Sequence, residues 1–214
     1  VFDQLALSLG GGFVVVDHTS ASAGLARALY ARCAEKGAMF LDAPISGGQA
    51  GAENGQLTIM CGGDQEAFTL AEAIMNSYGK RMTLIGDSGA GQLAKSVNQI
   101  CIAGILQGLA EGLHFAEEAD LNVAKVIEAI SGGAAQSWQM ENRWQTMVEG
   151  HYDHGFAVDW MRKDLRIALQ TARENGASLP VTAMVDQYYA DVQAMGGHRW
   201  DTSSLLARMG RKST

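Results

Sequence analysis

Proline is scarce: Pro44 and Pro180 are the only two in 214 residues. So few helix breakers exclude a proline-rich linker and leave long stretches free to be helical. Cysteine is scarce too, and Cys33, Cys61 and Cys101 are far apart, odd in number and set in apolar contexts. That pattern fits free thiols in a reducing cytoplasm better than a disulfide framework. Basic charge is in deficit, with 16 Lys and Arg against 23 Asp and Glu and a formal charge of −7. Without a basic block to follow a phosphate backbone, no nucleic acid partner is expected. Long apolar runs are also missing. The longest uncharged stretch, Ser96 to Ala110, contains a serine, an asparagine and two glutamines, and is shorter than the roughly 20 residues that span a bilayer. It reads as a buried helix, with no membrane partner. No signal or transit peptide is visible, and Val1 is not a natural start, so the true N-terminus stays open.

Hydrophobic residues make up 47% of the chain, enough to bury one large core or two modest ones. The first 88 residues alternate between strand and helix patterns. "FVVVD" (13 to 17), "AMFLDAP" (38 to 44), "QLTIMCGG" (56 to 63) and "KRMTLIG" (80 to 86) read as strands. Helical patterns lie at 20 to 37, with Leu25, Leu29 and Cys33 four apart, and at 64 to 79. Strands separated by helices of this length imply parallel βαβ units. After Gly86 only helical periodicity remains: Gln92 to Ala119, Val123 to Ile130, Ser137 to Glu149, Val158 to Asn175, and Val181 to Met195, with a short helix beginning at Ser203 or Ser204. In the helix after Pro180, Val181, Met184, Val185 and Tyr188 share one face. The fold class expected is therefore α/β followed by all-α, with domains at 1–88 and 89–214.

Several segments could carry chemistry. "LDAPISGGQAGAENGQLTIMCGG" follows a strand and holds six glycines between Gly47 and Gly63. Its backbone N–H groups and the Ser46 hydroxyl could hold a carboxylate or phosphate, or the segment could simply reverse the chain. In "GAGQLAKSVNQ", Lys95 lies in the first turn of a helix that begins near Gly91 or Gln92, and Asn98 and Gln99 follow on its face. Such a lysine either snorkels to water or serves an acid–base site together with the two amides. "FAVDWMRKDLRIALQTA" (156 to 172) reads by itself as an ordinary amphipathic helix with Leu165, Ala168 and Leu169 inward. Its adjacent Lys163 and Asp164 point about 100° apart and are not expected to pair. His151 and His154, three apart between glycines, lack a third ligand, so no metal is expected. Asp17, His18 and Ser46 lack the G-x-S-x-G elbow of a hydrolytic triad.

"DAPISGG", "GAGQLAKSVNQ" and "FAVDWMRKDL", in that order, make the chain resemble the β-hydroxyacid dehydrogenases over nearly its whole length. This group includes 3-hydroxyisobutyrate dehydrogenase and the tartronate semialdehyde and glyoxylate/succinic semialdehyde reductases. The resemblance implies a Rossmann domain for NAD or NADP followed by a helical domain built on one long helix. It implies that Ser46, Gly47 and Gly48 hold the substrate carboxylate, that Lys95 is the general acid/base, and that Asn98 or Gln99 orients the substrate. It also implies cofactor contacts from Phe156, Lys163 and Asp164, and from Thr19 and Ser20 in "DHTS", which matches the family's D-x-S-T turn. Trp138 lies where the resemblance places a tryptophan in hydroxyisobutyrate dehydrogenases and an arginine in tartronate semialdehyde reductases; helix packing is the other reading of that side chain.

The family's strand followed by G-x-G-x-x-G is not seen, since "LGGGF" precedes a strand. The resemblance therefore implies about 80 residues of mononucleotide fold ahead of Val1. The function expected is hydride transfer between nicotinamide and a small 3-hydroxy acid or its semialdehyde, with a cytoplasmic homodimer or homotetramer as the assembly. A lysine suits the acid/base role because burial disfavours the ammonium form and brings both protonation states within reach. A tartronate or succinic semialdehyde/glyoxylate reductase is one alternative, and a catalytically silent assembly module is another.

Overall fold

The structure, a computed structural model, describes residues 2–5 and 7–210. Val1 and residues 211–214, which bound the two expected domains, lie outside the described residues. Contacts divide the chain into two compact units, 1–98 and 99–214.

The first unit opens with α1 (Phe2–Leu5) and continues through β1 (Val14–Asp17), α2 (Ala23–Ala34), β2 (Met39–Asp42), β3 (Ile45–Ser46), α3 (Gly48–Glu53), β4 (Leu57–Gly63), α4 (Gln65–Met75) and β5 (Gly79–Gly86). Parallel pairing links β1 to β2 across α2, and β4 to β5 across α4, as βαβ units require. Between them, where no full helix separates the strands, the sheet reverses direction. Leu41 pairs with Gly63 and Ile45 with Ile59, so both β2 and β3 run antiparallel to β4. Pro44 interrupts what would otherwise be one strand. The glycine-rich connection that follows folds into α3, which is too short for a crossover, and the chain turns back as a hairpin.

Alternation along β2 explains its continuous apolar character. Phe40 packs with Ala26, Cys33 and Ala38, whereas Leu41 packs with Phe68, Ala71 and Met75, so helices cover both faces of the strand. On α2 the buried residues are Ala23, Ala26 and Cys33, and Leu25 is half exposed. Cys33 and Leu29, four apart, thus lie on the core side as the spacing implied, and Leu25 in the first turn does not.

The helix α5 (Ala90–Glu118) leads into the second unit, which continues through α6 (Val123–Ile130), α7 (Trp138–Glu149), α8 (Val158–Asn175), α9 (Pro180–Ala194) and a final 3₁₀ helix, Thr202–Met209. Its core joins Leu106, Leu113, Met147, Met161, Leu165, Val185, Tyr189 and Leu206. On α9 the buried face is Thr182, Val185, Asp186, Tyr189 and Val192, while Val181 and Met184 are exposed. The expected face is displaced by one position because Asp186 can enter the interior with its charge met: Arg162 Nε donates to it at 3.0 Å. Among the described residues no helix is long and apolar enough to cross a membrane.

Candidate active site

The start of α5 is held by a carboxylate. Asp42, at the end of β2 and fully buried, accepts from Gly89 N at 2.7 Å through Oδ1 and from Gln92 N at 2.9 Å through Oδ2. Two of the helix's unpaired N-terminal N–H groups are thereby satisfied by an anion that also suits the dipole. Burial pushes the Asp42 carboxyl up from its ordinary value, and the backbone N–H donors pull it partly back. Contact this close leaves no room for side chains. A Cβ on Gly91 would lie 2.5 Å from the Asp42 carbonyl oxygen, and one on Gly62 would lie 2.7 Å from Asp42 Oδ1.

This junction aims Lys95. With α5 beginning at Ala90, one or two residues before the expected start, Lys95 lies at the beginning of the second turn. Its ammonium donates to the carbonyl of Ile45 at 2.8 Å, and the residue is only 9% exposed. A snorkelling lysine would leave its charge in water, so that reading is excluded. Ile45 immediately precedes Ser46, Gly47 and Gly48. Gly47 (φ 133°) and Gly48 (φ 60°) both occupy backbone conformations that side chains disfavour. Lys95 and the Ser46–Gly48 loop are therefore brought together.

A second constellation in the same unit surrounds the loop after β1. Thr19 N donates to Asp17 Oδ1 at 2.9 Å. The side chain of Gln92 spans the next two residues, with Nε2 donating to Thr19 O at 2.7 Å and Oε1 accepting from Ala21 N at 2.9 Å. Thr19 itself is exposed and Ser20 is half-buried. His18 bonds Ala43 O at 2.6 Å and Tyr78 Oη at 2.9 Å, so both ring nitrogens have structural partners and no triad with Ser46 forms. The carboxyl end of a parallel strand, with hydroxyl side chains on a fixed backbone, fits the polar edge of a nucleotide cofactor.

In the second unit, Gln99 and Asp164 form a buried pair, with Gln99 Nε2 donating to Asp164 Oδ2 at 2.8 Å. The expectation that Lys163 and Asp164 do not pair is corrected: Lys163 Nζ lies 3.0 Å from Asp164 Oδ1. Adjacent helix positions diverge at the Cα, but the four-carbon stem of lysine is long enough to fold back. Phe156 precedes α8, and its backbone N donates to buried Asp201 at 2.8 Å. Trp138, the first residue of α7, is 57% exposed with the Arg143 guanidinium 4.9 Å from its ring centre. Its reading as a helix-packing core residue is thereby set aside. Asp42, Gln92 and Asp201 were not singled out in the sequence. For Asp42 a signal existed, an acid closing a strand beside the glycine-rich segment; Gln92 and Asp201 carry no local pattern.

Two family models match the chain: the NAD binding domain of 6-phosphogluconate dehydrogenase over residues 1–86, and the NAD-binding segment of NADP-dependent 3-hydroxyisobutyrate dehydrogenase over residues 89–209. The chain belongs to the β-hydroxyacid dehydrogenase family. Its cofactor class is accordingly NAD or NADP. An uncharacterized oxidoreductase of Shewanella frigidimarina is 63% identical over 198 residues, covering 92% of this chain and 68% of that protein. The 2-hydroxy-3-oxopropionate reductase of Escherichia coli is 35% identical over 91% of this chain and 67% of its own length. Among solved structures, a 3-hydroxyisobutyrate dehydrogenase of Mycobacterium tuberculosis recorded with L-serine superposes with a TM-score of 0.88 at 25% identity, covering 96% of this chain and 73% of that one. The chain thus spans about two thirds of the length of the β-hydroxyacid dehydrogenases it matches.

Proposed function

We propose that the intact protein transfers a hydride between NAD(P) and a small 3-hydroxy acid or its semialdehyde, with Lys95 as general acid/base. The observation that carries this reading is the Lys95 ammonium held at 2.8 Å on the Ile45 carbonyl, next to Ser46, Gly47 and Gly48. When bound, the nicotinamide supplies or accepts the hydride. Lys95 Nζ gives a proton to the substrate oxygen during reduction and takes one from it during oxidation. The Ser46 hydroxyl and the backbone N–H groups of Gly47 and Gly48 hold the substrate carboxylate, which fixes the reacting carbon. Asn98 or Gln99, the two amides that follow the lysine, is assigned to orienting the substrate; the Gln99 amide nitrogen also donates to Asp164. Thr19, Ser20, Phe156, Lys163 and Asp164 are assigned to the cofactor.

Trp138 is assigned to the substrate's third substituent, where an exposed indole favours an apolar branch. The favoured substrate is therefore 3-hydroxyisobutyrate-like. A tartronate or succinic semialdehyde reductase is the second reading, supported by the 35% identity to the 2-hydroxy-3-oxopropionate reductase. The test is a spectrophotometric panel of the intact protein with NAD and NADP against 3-hydroxyisobutyrate, glycerate, 4-hydroxybutyrate and glycolate. The reading requires the highest kcat/KM on 3-hydroxyisobutyrate, and inactivity on all four would overturn it. A homodimer or homotetramer is also proposed. It is supported by the exposure of Ile105 and Phe115 on α5 and by the open space at Gly104, Gly108 and Gly112. Light scattering of the wild type and of Ile105→Glu tests that assembly.

A further inference from the structure

We infer that Gln92 is a positioning residue that fixes the loop Thr19–Ala21 relative to Lys95, so that hydride and proton meet at one carbon–oxygen bond. The inference rests on the oxidoreductase reading above. Gln92 is 2% exposed, and both ends of its amide are used on the same loop. Oε1 accepts from Ala21 N at 2.9 Å, and Nε2 donates to Thr19 O at 2.7 Å. Two bonds to backbone groups two residues apart constrain the translation of the loop and also its rotation. A single bond would leave the rotation free.

The other end of the constraint is equally determined. The backbone N–H of Gln92 donates to Asp42 Oδ2 at 2.9 Å, so the residue is pinned where the helix starts. Lys95 follows three residues later, on the same face of α5. From the loop to the lysine the path is therefore one side chain and one helical turn. No other side chain among those described bonds both Thr19 and Ala21. Position matters because misplacing reacting groups by about 1 Å costs on the order of a hundredfold in rate, and a loop at a strand end is otherwise the mobile part of such a unit.

The amide is also the one common side-chain group that fits both partners. A glutamate would set a carboxylate oxygen against the Thr19 carbonyl, and an asparagine is one methylene too short. A leucine keeps the volume and loses both bonds.

The experiment compares the intact wild-type protein with Gln92→Leu and Gln92→Glu. It reads NADH and NADPH dissociation constants by fluorescence, KM for the cofactor and for the hydroxy acid, and amide hydrogen exchange at Ala21 without cofactor. The Leu variant is expected to lose protection at Ala21 and to bind the cofactor about tenfold more weakly, the scale of one lost buried hydrogen bond. Its KM for the hydroxy acid stays within about twofold, whereas a site disturbed as a whole would raise both KM values together. The Glu variant also binds the cofactor more weakly, because it keeps the bond from Ala21 N but sets a carboxylate oxygen against the Thr19 carbonyl. Wild-type cofactor affinity in Gln92→Leu, or a parallel rise in both KM values, overturns the inference. If the Leu variant does not fold, the same criteria applied to Gln92→Glu decide. A wild type that neither binds NAD(P)H nor turns over overturns the oxidoreductase reading and this inference with it. An active wild type matched by its variants overturns this inference alone.

Discussion

Lys95 donates its ammonium proton to the carbonyl of Ile45, and the two residues are joined across 50 positions of sequence at 2.8 Å. That bond carries the charge of the helix into the glycine-rich segment instead of into water. It also explains why the first two turns of α5 group with the α/β unit: Asp42, Gln92 and Lys95 all tie them there.

Asp42 holds the helix start, and burial raises its carboxyl above the ordinary value of 3.8. The folded protein then binds that proton more tightly than the unfolded chain does. The carboxyl's contribution to stability is therefore fully present below pH 3.8 and declines as the pH rises through the elevated folded value. Asp42→Asn removes this pH dependence, and it costs about 1–3 kcal/mol near neutrality because one buried N–H loses its acceptor. Urea unfolding of both proteins as a function of pH provides the check.

Glycines at the second position of α5 and of α2 should respond in opposite directions. Gly91→Ala drives a methyl into the Asp42 and Met60 carbonyls and is expected to destabilise by about 1–3 kcal/mol or more. Gly24→Ala meets only Ser22 Oγ at 3.9 Å and is expected to stabilise by about 0.5 kcal/mol. Thermal unfolding midpoints moving in the same direction for the two would contradict the packing described.

Gln99 and Asp164 are both buried and bonded to each other at 2.8 Å. A double-mutant cycle with Gln99→Leu and Asp164→Leu should return a coupling of about 0.5–3 kcal/mol. Additive effects would mean that the amide and the carboxylate act independently.

Trp138→Arg is expected to move selectivity from 3-hydroxyisobutyrate towards tartronate semialdehyde by roughly 10-fold or more in the ratio of kcat/KM values. Because the indole is exposed, stability should change little. An unchanged ratio would remove Trp138 from the substrate's surroundings.

The two-part architecture was legible in the sequence because the change from strands to helices after Gly86 is a change of hydrophobic period, which is a local property. The reversal between β2 and β4 was not, because it depends on Pro44 and on a six-residue helix hidden among glycines. Helix faces were misread where polar residues enter the core. Asp186 is buried beside Arg162, and nothing near it in sequence announces its partner. Lys95 was visible as a residue, but its direction was not: the choice between water and an internal acceptor rests on Ile45, which only the folded sheet brings near. Gln92 was overlooked for the same reason, since its partners lie 71 and 73 positions away.

The central claim, that Lys95 moves the proton while other groups hold the ligands, is tested most directly by Lys95→Ala in the intact protein, with kcat and the NAD(P)H dissociation constant measured on one preparation. The account predicts a fall in kcat of about 10²–10⁴-fold with cofactor affinity close to wild type. Turnover within a few-fold of wild type would contradict it.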